Sequence, residues 1–162
     1  KYSIKKREAN FIDFRKPTVR HDESLQKEIV MTDKINPDRT KTLEQLENSK
    51  WADYDFESNL IRRCHALRKI QIEKLETEDL RLLIGQQIGL KFLVTLAIEK
   101  LSADILAEGD YYPGDLLKSV LSVEKRYWAE NKSQWQTIDH LIQNNLDKIQ
   151  QVKLNLDEFY KK

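Results

Sequence analysis

A chain of 162 residues, 40% apolar and 34% charged, is the size of one domain with a core of its own and a strongly solvated surface. Lys and Arg number 28 against 27 for Asp and Glu, so net charge points to no nucleic-acid or membrane partner and any electrostatic message lies in local patches. Cys64 is the only cysteine, which excludes an internal disulfide and a cysteine zinc cage and suits a reducing compartment.

No apolar run approaches the ~18 residues of a membrane span, and no signal-peptide core follows Lys1. The expectation is a cytoplasmic protein, trimmed or preceded by further residues because no initiator Met is present. Residues 1–20 carry seven basic groups against Glu8 and Asp13, and residues 21–38 reverse the balance with five acids against Lys27 and Lys34. Apolar residues are sparse there, so residues 1–41 are expected to form a partly extended or mobile arm, and residues 42–162 the helical domain.

Helix signals begin at TLEQLENSKW, where Thr42 and Gln45 have the spacing of a capping box. Asp55 precedes FESNLIRRCHALRK, in which Leu60, Ile61, Cys64 and Leu67 form one apolar stripe. Cys64 reads as a small core residue and His65 as a boundary residue; neighbours on a helix point ~100° apart, so the two cannot form a catalytic dyad. Thr77 is the expected cap of EDLRLLIGQQIGLKFLVTLAIEKL, a segment apolar nearly all round and therefore central. Gly85 and Gly89 within it cost ~1 kcal/mol each against Ala, which leaves two readings: a flat groove for a neighbouring helix, or a break at GQQIG. A phosphate-binding loop lacks both its preceding strand and its Lys-Ser/Thr.

The loop AEGDYYPGDLL gathers Glu108, Asp110 and Asp115 around two tyrosines. Three carboxylates could hold a divalent cation, but the pattern stops short of a calcium loop. Pro113 suits a first helical turn, Asp115 then faces the positive helix end, and Gly109 and Asp110 make the preceding turn. Only Glu108 lacks a local structural task. Ser122 is the expected cap of a short helix carrying Tyr127 and Trp128. Trp135, Ile138, Ile142, Asn145, Ile149, Val152, Leu156 and Phe159 follow heptad steps, a core-facing seam with a weak point at residues 143–145. His21, His65 and His140 are scattered without metal spacing, and no catalytic motif is present. With no period-2 run, the fold class is all-α, a single-domain compact bundle of about six to eight helices.

TLEQLENSKW, LIRRCHALRK, LETEDLRLLIGQQIGLKFLVTLAIEKL and AEGDYYPGDLLKSVL together resemble bacterial contact-dependent growth inhibition (CDI) immunity proteins over about residues 42–121. The resemblance implies a non-enzymatic inhibitor without cofactor or metal. It would be monomeric when free and bind neither nucleic acid nor membrane. Its partner would be the toxic carboxy-terminal domain of a surface-displayed effector, commonly a nuclease with a basic cleft, held in a 1:1 complex. Acidic and aromatic side chains would then dock on the toxin and exclude its substrate. Glu108, Asp110, Tyr111 and Asp115 are the candidates in the motif-bearing loop. The other reading leaves that motif as scaffold and puts contacts on Asp53, Asp55, Glu73, Glu76 and Glu78. A different class stays open beside both: an all-α metal-dependent enzyme or ligand-binding regulator built on Glu108, Asp110 and Asp115.

Overall fold

Two capping boxes written into the sequence, at Thr42 and Glu76, start two of the helices. The computed structural model describes residues 36–52 and 58–161, so the arm through residue 35, Asp53, Asp55 and the Asp55 cap lie outside the described residues. Nine α-helical segments follow one another among the described residues: α1 Leu43–Leu46, α2 Asn59–Arg68, α3 Thr77–Gly85, α4 Leu90–Ala103, α5 Asp115–Leu121, α6 Lys125–Glu130, α7 Lys132–Gln143, α8 Leu146–Gln151 and α9 Asp157–Tyr160, with a 3₁₀ turn at Ile72–Lys74. Seven of them are six residues or longer, and the only β pairing among the described residues is one bridge between Thr42 and Gln71. The fold class is all-α, as expected.

Thr42 caps α1 as the spacing predicts: its hydroxyl accepts from Gln45 N at 3.3 Å, and Gln45 Oε1 accepts from Thr42 N at 2.9 Å. Three other expected helix starts shift. Glu76, not Thr77, is the N-cap of α3, and Asp79 Oδ2 accepts from its N–H at 3.1 Å. Pro113, expected in the first turn of α5, lies ahead of the helix, with Gly114 at the N-cap position and Asp115 as the first helical residue. Ser122 closes α5, where its hydroxyl donates to Ser119 O at 2.7 Å, and α6 starts after Glu124.

The GQQIG question resolves as a break. α3 ends at Gly85 and α4 starts after Gly89, which has φ 65°. A side chain at Gly89 would be strained by that φ, and its Cβ would stand 2.9 Å from both δ carbons of Leu43. A Cβ on Gly85 would make only an ordinary 3.6 Å contact with Ser119 Oγ, so close helix approach does not require that glycine. Gln87, at φ 59°, uses the turn to fasten the start of α6, its Oε1 accepting from Glu124 N at 3.1 Å.

Breaking the apolar segment in two lets its halves pack on each other. Leu80, Leu83 and Ile84 of α3, Leu93, Val94 and Leu101 of α4, and Leu116, Leu117 and Val120 of α5 are all buried. α3 packs on α5 and α4, and α4 on α7. Each such side chain contributes ~1.5–3 kcal/mol by leaving water. One polar relay crosses this core: the Tyr127 hydroxyl lies 2.6 Å from Gln134 Oε1 and 3.1 Å from Leu90 O, and Gln134 Nε2 donates to Thr95 Oγ1 at 3.0 Å. Burial pushes the Tyr127 phenol well above its ordinary range.

The carboxy-terminal heptad seam does face the core, with Ile138, Ile142, Ile149 and Phe159 buried, but it is folded into three helices. Asn145 Nδ2 donates to Leu141 O at 2.9 Å, a side-chain bond that competes with helix continuation. A second turn passes through Lys153 at φ 53°. The chain then brings Phe159 flat against Trp135, with centroids 5.4 Å apart, and edge-on to Trp128 at 5.8 Å. At the other end, Ile72 N donates to Lys41 O at 3.0 Å and Glu73 N to Arg39 O at 3.1 Å, laying residues 39–41 along the 3₁₀ turn. Arg68 is fully buried, bonded to the Glu47 carboxylate and, at 2.9 Å, to Ser49 O, with its guanidinium 4.1 Å from the Trp51 ring centre. His65 is buried against the same ring at 4.9 Å rather than lying at the boundary.

Candidate functional site: an acidic and aromatic rim locked by two arginines

Residues 108–112 would be an unstructured crossing were it not for two carboxylates that turn inward. Asp115, at the first position of α5 and 3% exposed, accepts from Gly109 N at 2.7 Å and Tyr111 N at 3.2 Å. Glu78, in the first turn of α3 and 8% exposed, accepts from Asp110 N at 3.0 Å. Three consecutive backbone donors of the loop are thereby satisfied from two helices, which leaves one loop conformation favoured.

Two buried carboxylates side by side need counter-charge. Arg81, one turn along α3, bonds Glu78 in a bidentate pair, Nε to Oε2 at 2.5 Å and Nη2 to Oε1 at 2.7 Å, and its Nε lies 3.7 Å from Asp115 Oδ2. Arg63 of α2 completes the network at 3.6 Å from Glu78, 3.4 Å from Asp79 and 3.5 Å from Asp110. Hydrogen bonding from Arg81 holds the Glu78 carboxyl below its ordinary range despite burial, and Glu78 in return raises Arg81. Gly109 passes so close that a Cβ there would stand 2.5 Å from Glu78 Oε2 and 3.0 Å from Asp115 Oδ2. EDLR and AEGDYYPGDLL, parts of two of the four stretches that carry the family resemblance, thus meet in space as one device.

Outside the lock, the candidate residues separate by exposure. Glu76, Glu108 and Asp110 line one groove of about 500 Å³ together with Glu73, Glu78, Lys74 and Lys100. Glu108 and Asp110 are exposed, as is Tyr111 at 69%, the most open large hydrophobic side chain among the described residues. The Tyr111 ring rests on the Arg81 guanidinium at 4.6 Å. Asp115 and Glu78 are the candidates the structure does not bring to the surface; they build the loop that displays the others. Asp53 and Asp55 lie outside the described residues.

Sequence reasoning missed Arg63 and Arg81, and it placed Glu78 among the surface acids. The i, i+3 spacing of Glu78 and Arg81 on a helix was the available signal. It missed Asp115 as a loop anchor because that bond reaches back across residues the helix-start reading treated separately. The apolar stripe of α2 also narrows: Cys64 and Leu67 are buried, while Leu60 and Ile61 are 39% and 46% exposed.

The inward carboxylates are occupied by guanidinium and backbone N–H groups, and no group of His, Cys, Asp and Glu able to hold a metal occurs among the described residues. Fold and site together define a small all-α domain that carries an acidic and aromatic rim. Residues 45–138, more than half of the chain, match the family model of CDI immunity proteins, and the protein belongs to that family. No curated protein and no solved structure matches it. Membership implies binding and neutralising a cognate toxin. No helix among the described residues is long and apolar enough to cross a membrane.

Proposed function

We propose that this protein neutralises the toxic carboxy-terminal domain of a CDI effector by binding it 1:1 and covering its active site or substrate surface. The toxin is a nuclease with a basic cleft. The inhibitor works in the cytoplasm, is monomeric when free, and makes or breaks no bond. It contacts neither nucleic acid nor membrane directly. The observation that carries this reading is the locked loop, which displays Glu108, Asp110 and Tyr111 beside Glu76.

A basic cleft built to hold phosphates attracts such a surface over several ångströms, raising the association rate, and the aromatic ring then excludes water at contact. Asp115 serves by holding the loop, and Asp53 and Asp55 are further acids that contact the toxin. The test is direct. The protein mixed with the toxin domain encoded beside it should elute as one 1:1 species, bind with nanomolar Kd, and abolish nucleic-acid cleavage. Cleavage undiminished at excess inhibitor would refute the proposal.

A further inference from the structure

The lock divides two depressions of unlike chemistry. On one side lies a groove in which the acids Glu73, Glu76, Glu108 and Asp110 outnumber Lys74 and Lys100. On the other is a hollow of about 350 Å³ lined by Arg81, Tyr111, Tyr112, Lys118, Ser119 and Ser122, with the buried Asp115 at its base. Arg81 is committed to Glu78, so the available charge in this second hollow is Lys118. Its ammonium lies 5.7 Å from the Tyr112 ring centre and forms no ion pair among the described residues. Asp115, one turn before it on α5, is directed to the loop and Arg81 instead. Tyr111 and Tyr112, 69% and 41% exposed, wall the hollow.

Resting on the toxin-binding reading above, we infer that the Lys118 hollow receives an acidic side chain of the toxin domain, so that the toxin presents a basic residue and an acidic residue on opposite sides of the Glu78–Arg81 lock. The basic residue enters the acidic groove and pairs with Glu108 or Asp110, and the acidic one pairs with Lys118 between the two tyrosines. Opposite charges on the two sides of the lock fix register: a toxin offering positive charge to both would meet Lys118 as a like charge. A carboxylate suits the hollow better than a nucleic-acid phosphate. A polyanion laid on Lys118 would carry its neighbouring phosphates across Asp110 and Glu108, and the repulsion there opposes the single favourable contact.

The experiment measures binding of the full chain to its toxin domain for the wild type, Lys118→Glu and Lys118→Gln, with thermal melts confirming that the variants fold. Lys118 is exposed, so both are expected to melt as the wild type does. Lys118→Glu should weaken binding about tenfold and Lys118→Gln less, with a single acid-to-lysine change on the toxin surface restoring affinity to Lys118→Glu. Wild-type affinity in Lys118→Glu, alongside clear wild-type binding, overturns the inference and leaves the function intact. No binding by the wild type overturns both. A Lys118-dependent affinity for single-stranded RNA would instead mark the hollow as a nucleic-acid contact and also overturn it.

Discussion

The face built by α2, α3, the 108–112 loop and α5 is held by charge, and the carboxy-terminal end built by α6 to α9 is held by rings. Charge-assisted hydrogen bonds are directional, so Glu78, Arg81 and Asp115 select one loop path and leave Tyr111 standing out of it. Ring packing is far less directional and rewards burial, so Trp128, Trp135 and Phe159 close a core. One region spends interactions on the shape of a surface, the other on keeping the chain folded. Stability and partner affinity should therefore respond to mutation at different ends of the molecule.

The largest stability effect is expected at the ring end. Phe159 is 1% exposed and touches both tryptophans, so Phe159→Ala should cost about 3–5 kcal/mol from lost burial and the cavity left behind. Urea denaturation gives the number, and toxin affinity measured below the transition should stay within about threefold of wild type. A large affinity loss in a folded Phe159→Ala protein would collapse the distinction between the regions.

Next comes the lock itself. Arg81→Gln strips the bidentate partner from Glu78 and the nearby positive charge from Asp115, both nearly buried. Leaving such groups unpaired should cost about 2–4 kcal/mol, and the freed loop should lower toxin affinity more than any change at Phe159. Arg81→Lys keeps the charge but loses the fork and should recover only part of both. Amide exchange at Gly109, Asp110 and Tyr111, fast in Arg81→Gln and slow in the wild type, checks that the loop is the element released.

These two expectations also show how far the amino-acid order could be read. The all-α class, the capping box at Thr42, the buried Cys64, the core-facing seam and Asp115 in a first helical turn all follow from rules acting within a few residues. What the order hides is pairing across distance: Asp110 N to Glu78 spans 32 residues, and the Arg68 bond to Ser49 O spans 19. Three acids in one loop look like a cation site until the arginines that neutralise their neighbours are placed beside them. The break in the seam is local by contrast and was legible: it falls at the expected weak point, residues 143–145, where Asn145 bonds Leu141 O four residues back.

The pH dependence separates the regions more gently. The folded-state carboxyl of Glu78 sits below its ordinary range because Arg81 donates to it, so its contribution is fully present above the ordinary carboxylate range. That contribution is lost as pH falls through the depressed folded value. Stability measured from pH 7 down to pH 3 should drop in the wild type, and drop less steeply in Arg81→Gln, where the depression is relieved. Phe159→Ala, which touches no such group, should keep the wild-type slope. Parallel slopes in all three proteins would mean that the lock does not link protonation to folding.

Tyr111→Ala should give the smallest stability change and so isolate the surface role. The ring is 69% exposed, and what it contributes to folding is its contact with the Arg81 guanidinium, worth little at such an open position. The loop bonds run through the Tyr111 backbone N–H, which alanine retains. Unfolding free energy should thus stay within about 0.5 kcal/mol of wild type. Affinity should fall far more, by about thirtyfold or above if the ring is the aromatic anchor of the contact, because truncation at a desolvated interface centre costs ~2 kcal/mol or more. The ratio of the two effects carries the meaning. A ring that stabilises the fold moves both together, whereas a ring held out by a locked loop for a partner moves only the second.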